Sequence, residues 1–199
     1  MMGRKRALVG AGGFAKDVKA LIGVRDIPCF VEDDYYNAEK GTLKLSNFNP
    51  GEYELLITIA DPQARARIAA SLPKETVYWS VVHPSAHLLM PDNIYWGVGC
   101  VISAMCILVD YIHIGDHCHL NLGTILGHDV AVGNFFTAAP GAGVMGNNVI
   151  GDRVYMGTNA CTKEKINICD DVIIGLNTGV VKDITEPGVY VGTPARRIK

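Results

Sequence analysis

His128 and Asp129 are neighbours in the stretch Asn121-Leu122-Gly123-Thr124-Ile125-Leu126-Gly127-His128-Asp129. An outward imidazole held by a carboxylate can act as a general base near neutral pH. A second candidate lies near the start, where Gly10-Ala11-Gly12-Gly13-Phe14-Ala15 fits G-x-G-x-x-G/A after a strand and before a helix. Such glycines let backbone N–H groups approach an anion at a helix N-terminus. About 20 residues further on, Glu32-Asp33-Asp34 comes after a second strand, where a carboxylate can hold a ribose or a base. Each signal has a plain alternative. His128 on spacing alone is an ordinary polar corner residue, and the glycines alone are a tight turn. The strand–turn–helix context and the acidic partner favour a nucleotide. The segment ends near residue 80, too short for two mononucleotide halves, so a single nucleotide carrying a sugar suits it better than NAD.

Two kinds of element must position these groups. From Trp96 every sixth residue is apolar, through Ile102, Leu108, Ile114 and Leu120 to Ile174 and Val180, with Ala138 and Thr162 the small or polar members. Four residues after each lies a second inward candidate, such as Cys100, Cys106, Cys118 or Val154, with Asn148 the polar exception. A period of six fits neither helix nor simple strand. It marks a parallel β-helix whose coils bury their apolar faces by stacking. On this register His128 points outward near a corner, and Asp129 supports it only if the turn brings it round. Before about Pro84 the pattern changes. Arg6–Gly10, Pro28–Val31, Leu55–Ala60 and Thr76–Trp79 read as strands, and Phe14–Val24 and Asp61–Leu72 as helices, the latter opened by Asp61-Pro62. That alternation implies a small parallel α/β sheet. Tyr35–Gly51 has no assignable element. The boundary falls at His83-Pro84-Ser85-Ala86, giving domains 1–82 and 83–199.

The 199 residues carry a formal net charge of −2, which leaves no electrostatic footprint for nucleic acid. No apolar run approaches the roughly 20 residues of a membrane span, and the basic start leads into no secretory signal, so a cytoplasmic protein is expected. None of the six cysteines forms a C-x-x-C pair, and those on the repeat read as compact fillers. The trimeric β-helix carbonic anhydrases resemble such a prism, but two of their zinc-ligating histidines lie five residues apart. No pair among His83, His87, His113, His117, His119 and His128 has that spacing, so no metal is expected. His113 and His119, one hexad apart, are expected at equivalent corners, and with His117 at the surface or an interface.

Taken in order, Val9–Ala15, Phe30–Asp34, Val82–Ala86, Gly127–Asp129, Ala139–Ala142 and Gly192–Ala195 resemble the bacterial sugar acetyltransferases. That family includes sialic acid O-acetyltransferases, UDP-4-amino-sugar N-acetyltransferases and GDP-perosamine N-acetyltransferases. The likeness covers nearly the whole chain. It implies a Rossmann-like N-terminal domain followed by a left-handed parallel β-helix. It implies a homotrimer with acetyl-CoA as co-substrate in the clefts between subunits. The catalytic base then falls on His128 and its acid on Asp129. Acetyl-CoA contacts fall on Thr137, Gly146, Thr158 and Leu176. Contacts to the nucleotide-linked amino sugar fall on Gly12, Gly13, Phe14, Glu32, Asp33, Asp34 and Asp61. Two departures stand out: Thr137 replaces a frequent His, and Phe14-Ala15 replaces a frequent His-Gly. The implied reaction is N-acetylation, with a UDP-linked 4-amino-4,6-dideoxy sugar favoured. The alternatives are O-acetylation of a sugar hydroxyl and a non-catalytic nucleotide-sugar-binding trimer.

Overall fold

The structure, a computed structural model, describes residues 3–199. Parallel sheets dominate and helices are few. The N-terminal part runs β1 (Lys5–Val9), α1 (Gly13–Leu21), β2 (Cys29–Val31), β3 (Leu43–Lys44), β4 (Tyr53–Ile57), α2 (Pro62–Ser71) and β5 (Val77–Tyr78). Its strands are all parallel, in the order β3-β2-β1-β4-β5. The apolar residues of β1 and β4 are buried on both faces of the sheet, as a two-sided parallel sheet requires. The unassigned stretch Tyr35–Gly51 supplies the edge strand β3 and the 3₁₀ turn Leu45–Asn47. Asp61 caps α2 by accepting from Gln63 N at 2.8 Å and Ala64 N at 3.3 Å, with Pro62 in the first turn.

From Val81 onward the chain is a stack of two- and three-residue strands in three parallel sheets of six, five and eight strands. Only the closing pair, Gly188–Val191 with Arg196–Arg197, is antiparallel. Ile107 pairs with Ile125 and His119 with Thr137, so one coil takes eighteen residues. The inward hexad residues from Ile102 to Val180 are buried and form one continuous core. Trp96 departs from that expectation. It ends the first strand of its sheet, has no coil beyond it, and is exposed. Cys100, Cys106 and Cys118 are buried, and the Cys106 thiol donates to Asn121 O at 3.2 Å. Every corner holds one residue at positive φ, from Gly99 and Met105 through Asp129 and Asn147 to Asn177. Most of these are not glycine, at a backbone cost of about 1–2 kcal/mol each, which stacking of the coils must offset. No helix among the described residues is long and apolar enough to cross a membrane.

The first coils of the eight-stranded face are covered by the N-terminal part, whereas Ile173 further along that face is exposed. Val101 packs with Leu8, Val18 and Trp79. Arg65 of α2 is fully buried at this seam and forms no ion pair among the described residues. Its guanidinium donates to the carbonyls of His117 (2.8 Å), Ile59 (2.6 Å), Phe135 (2.6 Å) and Phe136 (3.2 Å), and to Thr137 Oγ1 (2.8 Å). Burial pushes its pKa down to about 10, which still leaves it charged at neutral pH. The histidines differ from expectation. His113 and His119 lie on strands rather than corners, and only His113 is exposed. His119 is buried against Phe14, with ring centroids 4.6 Å apart. His117 is buried between Phe135, stacked at 5.2 Å, and Tyr78, edge-on at 4.4 Å. Among the described residues the ring nitrogens of His119 and Nδ1 of His117 have no hydrogen-bond partner.

The seam makes stability depend on pH. Burial, assisted by nearby Arg65 and opposed by Asp116, pushes His117 from its ordinary 6.5 down to about 4, and burial likewise lowers His119. Both rings are neutral when folded, whereas the unfolded chain takes up protons below about 6.5. Stability is therefore complete above pH 6.5 and declines as pH falls toward 4, by up to about 3 kcal/mol for His117. Urea denaturation at pH 7, 5.5 and 4 should show that decline, and His117→Phe should make it shallower, leaving the part due to His119. Arg65→Met strands several buried carbonyls and should cost about 3 kcal/mol or more, measured by the same denaturation at pH 7.

Candidate active site

The corner turn Gly127–Asp129 comes directly after the strand Ile125–Leu126 and brings both chemical groups outward. Asp129 takes the left-handed conformation, φ 55°, and this turns its carboxylate back to the imidazole. His128 Nδ1 lies 2.7 Å from Asp129 Oδ2, while the ring remains half exposed. The carboxylate therefore holds the proton on Nδ1 and leaves the lone pair on Nε2. One coil on, Gly146 occupies the equivalent corner. A Cβ there would sit 2.7 Å from His128 Nε2, so only glycine lets the imidazole rest over this backbone. The arrangement can take a proton at Nε2 beside a backbone peptide.

The other expected acyl-donor positions lie elsewhere. Thr158 and Leu176 are exposed on a different edge of the prism, at the corners after the strands Tyr155–Met156 and Val172–Ile174. Within one chain they do not meet His128. Thr137 is not at the surface at all. It is buried in the seam, where its hydroxyl accepts from Arg65 and donates to Ala60 O at 3.1 Å. Its side chain belongs to the junction between the two parts of the chain and is not presented to a thioester.

A cavity of about 610 Å³ opens at the carboxyl ends of β1, β2 and β4. The strand order reverses between β1 and β4, and open α/β sheets bind ligands at such switch points. Gly10, Ala11, Gly12, Glu32 and Asp34 line it. Gly10 is required by the fold, since φ is +111° and a Cβ would press on Ile59 at 2.8 Å. Gly12 and Gly13 are not, because no protein atom lies within 4 Å of a Cβ at either. The space they leave sits at the N-terminus of α1, which no side chain caps. Glu32 meets Arg67 at 2.5 Å across the mouth. Three expected substrate residues are engaged elsewhere. Asp33 accepts from Ser46 Oγ at 2.7 Å, which lowers its pKa. Asp61 caps α2, and Phe14 packs against His119 with the rings tilted by 34°. Tyr36, Lys40, Thr42 and Arg67 complete the wall. The sequence does not reveal them, because the Tyr35–Gly51 stretch shows no periodicity and Arg67 reads as an ordinary helix-surface residue. Among the described residues no group of His, Cys, Asp and Glu is arranged to hold a metal.

No family model matches the chain. GDP-perosamine N-acetyltransferase of Escherichia coli O157:H7 is 31% identical over 111 residues, which are 55% of this chain and 49% of that protein. The chain thus spans about half the length of that curated relative. Among solved structures, PerB from Caulobacter crescentus in complex with CoA and GDP-perosamine superposes with a TM-score of 0.86 at 21% identity, covering 98% of this chain and 97% of that one. The acetyltransferase domain of PglB from Neisseria gonorrhoeae FA1090, in complex with acetyl coenzyme A, gives 0.84 at 22%, covering 99% and 100%. At these identities the structural likeness is one of fold. By sequence and by fold, the proteins that this chain resembles are sugar N-acetyltransferases of the hexapeptide-repeat acyltransferase type.

Proposed function

We propose that the chain transfers an acetyl group from acetyl-CoA to the amino group of a nucleotide-linked amino sugar. The observation that carries this reading is the corner where Asp129 orients His128 and Nε2 rests over the Gly146 backbone. On this reading residues 1–82 are a Rossmann-like domain for the nucleotide sugar, residues 83–199 are a left-handed β-helix, and the reaction is cytoplasmic. The anion of the nucleotide lies in the space beside Gly12 and Gly13, and Glu32 and Asp34 face its ribose or base. The Escherichia coli relative is a GDP-perosamine N-acetyltransferase and PerB is in complex with GDP-perosamine, which sets GDP beside UDP as the nucleotide.

The amine nitrogen attacks the thioester carbonyl and forms the new C–N bond. His128 Nε2 removes the proton from that nitrogen, and Asp129 stabilises the imidazolium. The Gly146 N–H donates to the carbonyl oxygen as negative charge gathers there. Cleavage of the C–S bond then releases the CoA thiolate, which takes the proton back from His128. Thr158 and Leu176 lie on another edge of the prism, so a trimer that sets this edge against the His128 edge of a neighbour explains why the acetyl-CoA contacts are divided. The mass in solution, by light scattering, should be three times that of the chain.

Free CoA thiol, followed with acetyl-CoA and either GDP-perosamine or a UDP-linked 4-amino-4,6-dideoxy sugar, tests the reading. His128→Ala should lower kcat about 10²–10⁴-fold without unfolding the chain. Gly146→Ala should cost about 10²-fold or more by displacing the imidazole. Gly12→Val should raise KM for the nucleotide sugar and leave the denaturation midpoint unchanged. Turnover only of a sugar hydroxyl, or near-normal turnover by His128→Ala, sinks the proposal.

A further inference from the structure

Four buried polar residues interrupt the apolar inward register of the prism core, Thr124, Asn148, Thr162 and Thr178, and the fold places Asn148 and Thr162 against each other beneath the His128 corner. Both are buried. Asn148 Nδ2 donates to Thr162 Oγ1 at 2.5 Å and to Lys163 O at 3.0 Å, and Asn148 Oδ1 accepts from Ile166 N at 2.5 Å. Thr162 Oγ1 also accepts from Met145 N at 3.0 Å.

That last bond replaces a ladder bond. Along this sheet the residue after each strand donates to the backbone of the next coil: Leu89 to Leu108 O, Val109 to Leu126 O, Gly127 to Val144 O and Lys163 to Val180 O. At Met145 the acceptor is instead the Thr162 hydroxyl. The pairing between the strands Gly143–Val144 and Cys161–Thr162 correspondingly shrinks to the single register Gly143 with Cys161. Its neighbours in the same sheet pair over two residues. A local interruption of a ladder re-aims the chain just beyond it, and the next residue beyond Met145 is Gly146.

The asparagine acts on the same turn from below. It grips Lys163 O and Ile166 N, the two ends of the next coil's corner, and Lys165 within that corner donates to Gly146 O at 3.0 Å. Above, Asn147 N donates to His128 O at 2.9 Å. The Met145–Gly146 peptide is therefore set by two core side chains. We propose that Asn148 and Thr162 are positioning residues that fix the height of this peptide under the His128 imidazole, and with it the N–H that meets the acyl oxygen. The inference rests on the acetyl-transfer reading for its catalytic consequence.

The contrast that separates positioning from mere packing is the double variant Asn148→Leu/Thr162→Val, which restores the apolar repeat. The double variant leaves Lys163 O and Ile166 N without the asparagine, which lowers stability, so its rate is read under conditions where the denaturation curve shows it folded. A packing role then predicts a normal rate. Positioning predicts a folded chain that is slow. Thr162→Val and the double variant should lose about 10–100-fold in kcat, as small misplacements of catalytic groups do, with KM for acetyl-CoA and for the amino-sugar nucleotide within a factor of about three. Thr162→Ser, which keeps the hydroxyl, should recover the rate. Crystal structures of the unaltered chain and Thr162→Val should show Met145 N returning to the carbonyl of residue 162 and Gly146 shifting relative to His128 Nε2. An unmoved Gly146, a full rate in the double variant, or a loss confined to KM overturns the proposal. Absence of turnover by the unaltered chain sinks the acetyl-transfer reading instead, while the crystallographic comparison still decides whether the pair sets Gly146.

Discussion

Eighteen residues separate His128 from Gly146, and eighteen residues make one coil of the prism. Parallel strands of two or three residues cannot bury an apolar face alone, so each coil is stable only when the next repeats its path. That requirement stacks corner on corner, and it places one coil's imidazole directly over the next coil's backbone. The chemistry at this edge is thus a by-product of register. A residue inserted into the intervening coil would separate the ring from the glycine and also turn the inward side chains away from the core.

The second constraint is the seam. The parallel strands of the eight-stranded face carry outward residues, and a polar outer face would serve an isolated prism. Here Val101, His119 and Thr137 are instead buried under the N-terminal sheet. Arg65 closes this junction with carbonyls rather than carboxylates. Its charge is solvated by peptide dipoles from three parts of the chain, so its geometry requires α2 and two successive coils to be in place together. The glycine loop is coupled to the same junction through Phe14 on His119. The cavity and the prism are consequently held in fixed relation by a buried polar contact set, with no ion pair across the junction among the described residues.

Corner conformation shows how local cost and global gain are balanced. One residue in six adopts positive φ, and Phe135, Arg153, Lys165 and Asp171 do so despite their side chains. At Asp129 the same conformation has a chemical consequence, because it swings the carboxylate onto Nδ1 of the preceding histidine. Alternation along a strand sends neighbours to opposite faces, which is why adjacency alone does not establish the pair.

The sequence by itself determined the prism, its repeat length, the inward residues, the alternating strands and helices before it, and the two places where chemistry was to be sought. Periodicity carries this information, since a side chain that must be buried every sixth residue leaves a trace at every coil. It also marked Asn148 and Thr162 as exceptions without revealing that they meet. Tertiary structure alone decided that Thr137, His117 and His119 face a second layer of protein, that Asp33 and Asp61 are engaged in local bonds, and that Lys40 and Arg67 line the cavity. Outward positions are identical in the repeat whether they meet water or another sheet. What covers them depends on contacts between distant segments, and those leave no period to read.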